Sequence, residues 1–197
     1  MADIAPVPVP TLVSARLCLR GYRGTDVDAM FALYSDPAVM RYWSFPAWTA
    51  VAEAEAYLAH AATHAAQGLA LPWAIADRVD DRLIGTATLH SLRLDQGRAE
   101  IGYALSADRQ GRGLASEALR LVLDHAFGPL GLRRIEADVD PRNASSCRLL
   151  EALGFAREGL LRDRWQVAGE TCDSALYGLL AREHAVARRV APDGAPG

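Results

Sequence analysis

Residues 97–127 combine a strand, a short loop and a long helix, and this stretch limits the possible folds more than any other part of the chain. The loop, Arg109-Gln-Gly-Arg-Gly-Leu-Ala115, leads directly into an amphipathic helix predicted over residues 112–127. Small residues at positions 111, 113 and 115 leave backbone N–H groups accessible, and the helix dipole adds positive charge at the helix start. The sequence therefore predicts an anion site that holds the phosphates of a nucleotide-like cofactor.

Two common phosphate-binding loops fit this stretch poorly. A Walker loop requires Gly-Lys-Ser/Thr, and all 21 basic residues of the chain are arginine. A dinucleotide-binding loop requires G-x-G-x-x-G after a parallel strand, whereas Ser116 replaces the third glycine and the preceding strand reads as part of an antiparallel meander. Because Glu136 lies at a tolerable distance for a ribose contact, the dinucleotide interpretation is disfavoured but stays open on these residues alone.

Composition and charge narrow the class of protein. The 197 residues suit one domain with a sizeable core, and 51% hydrophobic with 23% charged residues is ordinary for a globular protein. A net charge of −3 argues against nucleic acid as a partner, and no apolar run reaches the roughly 20 residues that span a membrane. The chain starts without the basic and apolar segments of a secretion signal, so we expect a cytoplasmic protein without nucleic-acid or membrane partners.

The cysteines and histidines give no sign of a metal site. Cys18, Cys147 and Cys172 lack metal or redox spacing, so we interpret them as free thiols of a reducing compartment. His60 and His64 share a helix face, but no glutamate stands between them and no third ligand is evident. We therefore predict no metal ion.

The order of the predicted elements is that of a single α/β (α+β) domain. Residues 1–11 read as an extended lead-in, residues 12–182 as the folded domain and residues 183–197 as a C-terminal tail. Periodicity and turn residues predict about four helices, near 26–35, 49–67, 112–127 and 145–153. They also predict six to seven strands, near 16–20, 73–77, 83–92, 99–105 and 134–139, with two more between 155 and 180. In the first helix, the predicted inner face is Val27, Met30, Phe31 and Tyr34.

Two segments carry a resemblance to a known family. Gln110-x-x-Gly113-x-Ala115 resembles the acyl-CoA pyrophosphate loop of the GNAT N-acetyltransferase superfamily, Q/R-x-x-G-x-G/A. Residues 143–155, Asn-Ala-Ser-Ser-Cys-Arg-Leu-Leu-Glu-Ala-Leu-Gly-Phe, resemble that family's second cofactor segment, N-x-x-S…L-x-x-x-x-G-F. Five shorter segments and Asp173-x-x-x-Tyr177 are similar to the RimJ/RimL-like branch, which acetylates ribosomal-protein N-termini; the five are Arg16-Leu-Cys-Leu-Arg20, Glu100-Ile-Gly-Tyr103, Glu117-Ala-Leu, Arg134-Ile-Glu136 and Glu158-Gly159.

The resemblance covers about residues 12–180 and implies a fold, a cofactor and a reaction. The implied fold is a single GNAT domain with a mixed, mostly antiparallel, splayed sheet flanked by helices. The implied cofactor is acetyl-CoA, with coenzyme A as product. The implied reaction is acetyl transfer to a primary amine by direct attack in a ternary complex. Homodimers are common among relatives, so a homodimer is possible for this chain.

The resemblance also implies the residues that hold the cofactor. The pyrophosphate is expected on the backbone N–H groups of Gly111, Arg112, Gly113, Leu114 and Ala115, with side-chain help from Gln110 and Ser116. The pantetheine arm is expected to pair with the backbone of Tyr103, Ala104 and Leu105. Asn143, Ser146 and Arg148 complete the set. Asn143 also suits a helix N-cap, and Arg148 also suits a solvated helix face.

Two residues are candidates for proton transfer. An attacking amine must be neutral, and the leaving thiolate must be protonated. Many GNAT enzymes use a tyrosine at the position of Leu150, which cannot supply a proton. The resemblance to the RimJ/RimL-like branch moves the general acid to Ser146, and it makes Glu100 the general base. An exposed strand carboxylate and a first-turn helix serine are the structural alternatives for these two residues.

The acceptor side of the site is less defined in the sequence. Aromatic residues between the first two predicted helices can line an acceptor groove or belong to the core. They are Tyr42, Trp43, Phe45 and Trp48, and Arg41 directly precedes them. Asp173 can anchor an ammonium or support a turn. The leading hypothesis is acetylation of a protein or peptide N-terminal α-amine. The alternatives are a small amine acceptor, such as a polyamine, amino acid or aminoglycoside, and a non-catalytic acyl-CoA sensor.

Overall fold

One open sheet of eight strands organises the computed structural model, which describes residues 8–190. The spatial strand order is β1-β2-β3-β4-β5-β6-β8-β7. The strands are β1 (Leu12–Val13), β2 (Leu17–Arg20), β3 (Leu71–Asp77), β4 (Leu83–Arg93), β5 (Arg98–Leu105), β6 (Arg134–Val139), β7 (Ala156–Val167) and β8 (Glu170–Leu180). The predicted lead-in and tail fall partly outside the described residues.

Six helices flank this sheet within residues 8–190. They are α1 (Val27–Ser35), α2 (Pro37–Met40), α3 (Val51–Ala66), α4 (Leu114–Phe127), α5 (Ala144–Ala152) and α6 (Ala181–Val190). This confirms the single-domain mixed α/β fold, and it corrects the expected six to seven strands and about four helices to eight and six. The extra strand β1 has only two residues, too few for an alternating pattern. Of the two extra helices, α6 overlaps the predicted C-terminal tail, and α2 is a single turn, begun by the Asp36 carboxylate that accepts a hydrogen bond from the Ala38 N–H at 2.8 Å.

The helices cover the two faces of the sheet separately. Buried residues of α1 and α3 form one core with Ala74 and Ala104, whereas α4 and α5 pack on a second core that includes Ile101 and Leu105. Because side chains alternate along a strand, β5 directs Glu100 and Gly102 to the α1–α3 face and Tyr103 to the α4–α5 face. The sheet thus separates two groups of predicted site residues.

The predicted splay in the sheet lies between β5 and β6. These parallel strands pair only through residues 98–100 and 134–136. Beyond Glu100, β5 stays paired with β4, and beyond Glu136, β6 stays paired with β8. The two strands therefore diverge and open a wedge in the middle of the sheet.

A buried ion pair fixes the start of α1 against the sheet. The Arg20 guanidinium donates to both carboxylate oxygens of Asp26 at 2.8 and 2.9 Å, and these residues are 5% and 4% exposed. Arg20 Nε also donates to Asp81 at 2.9 Å in the β3–β4 turn. The Asp26 carboxylate accepts from the Arg23 N–H at 2.8 Å as well. This network connects β2, the β3–β4 turn and the helix layer that covers the α1–α3 face.

None of the helices in residues 8–190 has the length and apolar character needed to cross a membrane.

Candidate active site

The loop before α4 presents a row of backbone donors. Gly111 and Gly113 have φ of +71° and +73°, a conformation that glycine adopts without strain, and Gly113 is the residue at which α4 starts. Among the described residues, no acceptor binds the N–H groups of residues 111–116; the first helical bond is from Glu117 to Gly113. A Cβ at Gly111 would meet nothing within 4 Å, so this side of the loop is open. Donors at a helix start with free space in front of them suit a diphosphate.

Two side chains near this loop have structural partners. Gln110 Nε2 donates to the Leu105 carbonyl at 2.9 Å, which ties the loop to the end of β5. Arg16 donates to the Arg112 carbonyl at 2.9 Å and is ion-paired with Glu117. Gln110 therefore shapes the loop rather than pointing away from it.

Two arginine side chains remain available, one just before α4 and one in the middle of α5. Arg112 and Arg148 are exposed, and neither side chain has an ion pair or hydrogen bond to another residue in the range 8–190. The Ser116 hydroxyl only accepts a long hydrogen bond of 3.4 Å from Arg120. The two guanidinium groups are thus free to bind phosphate oxygens.

A cleft of about 550 Å³ lies where β5 and β6 diverge. Its walls come from β5, β6, the start of α5, the α2–α3 loop and the β7–β8 hairpin. Glu100, Tyr103, Asn143 and Ser146 line it together, although about 40 positions of sequence separate the first two from the last two. The splay thus brings both predicted proton-transfer residues into one cavity.

The start of α5 holds a short chain of hydrogen bonds. Asn143 is the N-cap, and its Oδ1 accepts from the Ser146 N–H at 3.1 Å. The Ser146 hydroxyl lies 2.6 Å from the Tyr103 hydroxyl across the cleft. Burial raises the pKa of Tyr103 to about 12, so its hydroxyl is protonated at neutral pH and can donate to Ser146.

Glu100 faces a second carboxylate on the α1–α3 side of the cleft. Asp138 of β6 lines the same cavity, and His90 is the cross-strand neighbour of Glu100 on β4. Desolvation raises the pKa of Asp138, and the nearby Glu100 charge acts in the same direction. The hydrogen bond with Trp165 and the charge of Arg164 lower this pKa but do not cancel the rise. Burial also lowers the pKa of His90, which favours the neutral imidazole. Two carboxylates and a neutral imidazole make this side of the cleft suitable for accepting a proton.

The α2–α3 loop and the β7–β8 hairpin form the outer walls. Arg41 is 3.3 Å from Glu170 of the hairpin, and its guanidinium lies 5.5 Å from the centre of the Tyr42 ring. Trp43 lines the cleft and packs edge-on against Tyr34 at 5.3 Å. These contacts hold the loop against the hairpin at the mouth of the cleft.

Comparison with known proteins identifies the family. A family model for the acetyltransferase (GNAT) domain matches residues 16–156. An uncharacterized N-acetyltransferase of Bacillus licheniformis, p20, is 38% identical over 175 residues, which are 89% of this chain and 98% of that protein. The chain belongs to the GNAT acetyltransferase family. It is an acetyl-CoA-dependent N-acetyltransferase, as the sequence led us to expect.

More distant GNAT relatives differ in their acceptors. The [ribosomal protein uS5]-alanine N-acetyltransferase of Escherichia coli is 29% identical over 132 residues, 66% of this chain and 63% of that protein. The E. coli spermidine N(1)-acetyltransferase is 27% identical over 153 residues, 77% and 79% of the two chains. The solved structure of Mycobacterium smegmatis RimJ in complex with CoA-disulfide is similar at a TM-score of 0.78 and 26% identity, covering 92% of this chain and 96% of that one.

The structure also places the remaining predicted GNAT site residues. Tyr103, Ala104 and Leu105 follow the last β5–β6 pair, so their backbone borders the splay, although residues 103–105 are hydrogen-bonded to β4. Asp173 lines the cleft and also accepts from the Asp163 N–H at 2.9 Å, where Asp163 has a positive φ. The alternative role of Asp173, support of a turn, is thus present alongside its place in the cleft. Leu150 is fully buried in the α4–α5 core.

Sequence patterns missed three residues of the GNAT cleft. From the sequence we expect only the backbone of Tyr103 to contribute, and neither Asp138 nor His90 stands out. Alternation on β6 could have indicated Asp138, because Glu136 and Asp138 share the face of Glu100. No local pattern predicts the contact between Tyr103 and Ser146.

No cluster of metal-ligating side chains occurs in the described part of the chain. Trp48, one of the aromatic residues considered for the acceptor groove, belongs to the α1–α3 core.

Proposed function

We propose that this GNAT enzyme acetylates the α-amine of a protein or peptide N-terminus. The observation that supports this most is the cleft itself, which opens to solvent between the α2–α3 loop and the β7–β8 hairpin and has Glu100 on its inner wall. An open groove admits the end of a chain whose remaining residues stay outside. Arg41 and Arg164 line it together with acidic residues, a mixture that suits a peptide with its single charged amine.

The cofactor has a matching place on the α4–α5 side. The N–H groups of residues 111–116 would hold the pyrophosphate, Arg112 and Arg148 the remaining phosphates, and the backbone of residues 103–105 the pantetheine arm. Acetyl-CoA, when bound, supplies an acetyl thioester. The wedge between β5 and β6 gives the arm a path from the loop to Glu100.

The chain's own residues then divide the proton transfers. Glu100 would accept the proton of the acceptor amine, directly or through one water. Ser146 would supply a proton to the coenzyme A sulfur, and Tyr103 would pass a proton to Ser146 and regain one from solvent. Direct attack needs no covalent enzyme intermediate, so neither Ser146 nor Cys147 acts as a nucleophile.

An acceptor panel tests this function. We expect release of coenzyme A thiol from acetyl-CoA with peptides that carry a free N-terminus, at a kcat/KM at least about 10-fold above that for spermidine. The same peptides with a blocked N-terminus are the control and should be inactive. Mass spectrometry of the product should place the acetyl group on the α-amine. A preference for spermidine or another small amine over every peptide would contradict the proposal.

One observation favours a small cationic amine as the second candidate. Five acidic residues line the cleft against two arginines; the acidic ones are Glu100, Asp138, Asp140, Glu170 and Asp173. Glu170 and Asp140 are ion-paired with Arg142, which reduces the charge available to a polycation.

Binding of acetyl-CoA without turnover of any peptide or amine would instead identify a non-catalytic acyl-CoA sensor.

The hydrogen bond between Tyr103 and Ser146 gives a second prediction. We expect Ser146→Ala and Tyr103→Phe each to lower kcat by about 10-fold, the equivalent of one hydrogen bond in the transition state. If the two hydroxyls act as one unit, the double variant should be no slower than the slower single variant. Stopped-flow thiol release measures the rates, and coenzyme A affinity should stay unchanged. Additive losses would show that the two groups act independently.

A further inference from the structure

A second cavity, of about 230 Å³, adjoins the cleft on the α1–α3 side of the sheet. Trp43, His90 and Gly102 line both cavities, so the two spaces meet at these three residues. The inner walls of the second cavity come from α1, α3, β3 and β4. We refer to it as the side pocket.

The walls of the side pocket are mainly aromatic and apolar. Tyr34 packs against Trp43 at 5.3 Å and against Tyr57 at 5.6 Å between ring centres, so the three rings support one another. Ala61, a buried residue of α3, leaves space where a larger side chain would stand. Aromatic walls of this kind bind rings and bulky aliphatic groups by burial and edge-to-face contact.

Charge argues that the occupant is not a cation. No aspartate, glutamate or arginine among residues 8–190 lines the side pocket, and its basic side chains are the imidazoles of His60, His64 and His90. Its most enclosed imidazole, that of His90, is favoured in the neutral form by burial. The Tyr34 hydroxyl is already satisfied by the Thr86 hydroxyl at 2.8 Å. An ammonium would therefore lose its hydration without gaining an anionic partner.

Gly102 leaves the passage between the cleft and the side pocket open. It lies two residues after Glu100 on the same face of β5, about 7 Å along the strand. A Cβ at this position would stand 3.7 Å from the His90 ring, so any longer side chain would point into the passage. A group attached to the carbon that bears the amine could enter the side pocket while the amine stays near Glu100.

We propose that the side pocket selects the acceptor by binding an aromatic or bulky apolar group carried on the amine-bearing carbon. For a peptide acceptor this group is the first side chain. The proposal rests on the proposed function for the identity of the acceptor, but its selectivity can be measured on any amine that the enzyme accepts.

The test compares acceptors that differ only in this group. Peptides with Phe or Leu as first residue should show a kcat/KM about 10-fold or more above that of the same peptide beginning with Ala. Ala61→Leu fills the pocket and should bring the Phe and Leu peptides down toward the Ala peptide, whose own rate stays unchanged. Ala62→Leu, on the exposed side of α3, is the matched control and should keep the preference.

Two further measurements distinguish a wrong proposal from a misfolded variant and from a wrong acceptor class. Ala61→Val is a smaller filling should Ala61→Leu fail to fold, and melting temperatures identify that case. Phenylalaninamide and alaninamide form a matched pair of small amines. If every peptide is inactive, the proposed function is wrong, and the phenylalaninamide to alaninamide ratio still decides the pocket. Equal rates across first residues, or equal effects of the position 61 and 62 variants, would overturn the inference.

Discussion

Replacing Glu100 by glutamine lowers kcat/KM for acetyl transfer by at least about 100-fold, the contribution expected of a positioned general base. Glutamine keeps the size and one hydrogen-bonding oxygen of the side chain but cannot take a proton. Since Glu100 lies on the α1–α3 face and the loop proposed to hold the pyrophosphate lies at the start of α4, coenzyme A affinity should not change. Thiol release at saturating acetyl-CoA, with a separate coenzyme A titration, measures both quantities.

Two further variants make this result specific to Glu100. Glu55→Gln, on the exposed surface of α3, is the matched control and should leave kcat/KM unchanged. Asp138→Asn removes the carboxylate of β6 that faces Glu100 and should have the smaller effect. A larger loss in Asp138→Asn than in Glu100→Gln would assign the base to Asp138. Full activity in the Glu100→Gln enzyme would show that Glu100 is not the general base.

Removing the Asp26 carboxylate destabilises the folded chain by about 3–5 kcal/mol, the range measured when one partner of a buried ion pair is deleted. In Asp26→Ala the Arg20 guanidinium keeps its charge in a site that is 5% exposed and loses its bidentate partner. Asp81, with a side chain 47% exposed, replaces only part of that interaction. Urea unfolding followed by circular dichroism gives the free-energy difference.

Matched variants separate the unpaired charge from lost packing. Asp81→Ala removes the outer carboxylate and should cost much less, because solvent screens that contact. The double variant Arg20→Met with Asp26→Leu removes both charges and should recover much of the stability lost in Asp26→Ala. If the double variant is no more stable than Asp26→Ala, the loss comes from the shape of the site and not from its charge.

Much of the fold could be predicted because its signals are local. Gly111, Gly113 and Gly154 have the positive φ values that end or begin elements, and burial alternates along β6 and the first half of β5. Errors arose where tertiary packing decides. On α1 the structure buries Leu33 with Met30 and Tyr34, whereas the predicted Val27 and Phe31 are only half-buried. A helix of nine residues contacts both α3 and β4, so one stripe cannot describe its buried side.

The candidate site shows the same division between local and distant signals. The row of backbone donors before α4 could be predicted because all of them lie within seven residues, and the N-cap role of Asn143 follows from the three residues after it. The partner of Ser146 lies on another strand, and Asp138 meets Glu100 only because β5 and β6 diverge. The side pocket depends on Ala61 and Gly102, two small residues that carry no chemical signal in a sequence. The roles of Glu100 and Ser146 stay predictions that the variants above test.

The divergence of β5 and β6 has a consequence for how such an enzyme can change its substrate. The loop before α4 and the start of α5 lie on one side of the sheet, and α1, α3 and the side pocket lie on the other. The wedge between β5 and β6 connects the two sides of the sheet. Under the function proposed above, substitutions in α1 or α3 would alter the acceptor without disturbing the loop before α4. The α1–α3 side would then be free to change under selection for new acceptor amines, while the α4–α5 side keeps binding the same acetyl donor.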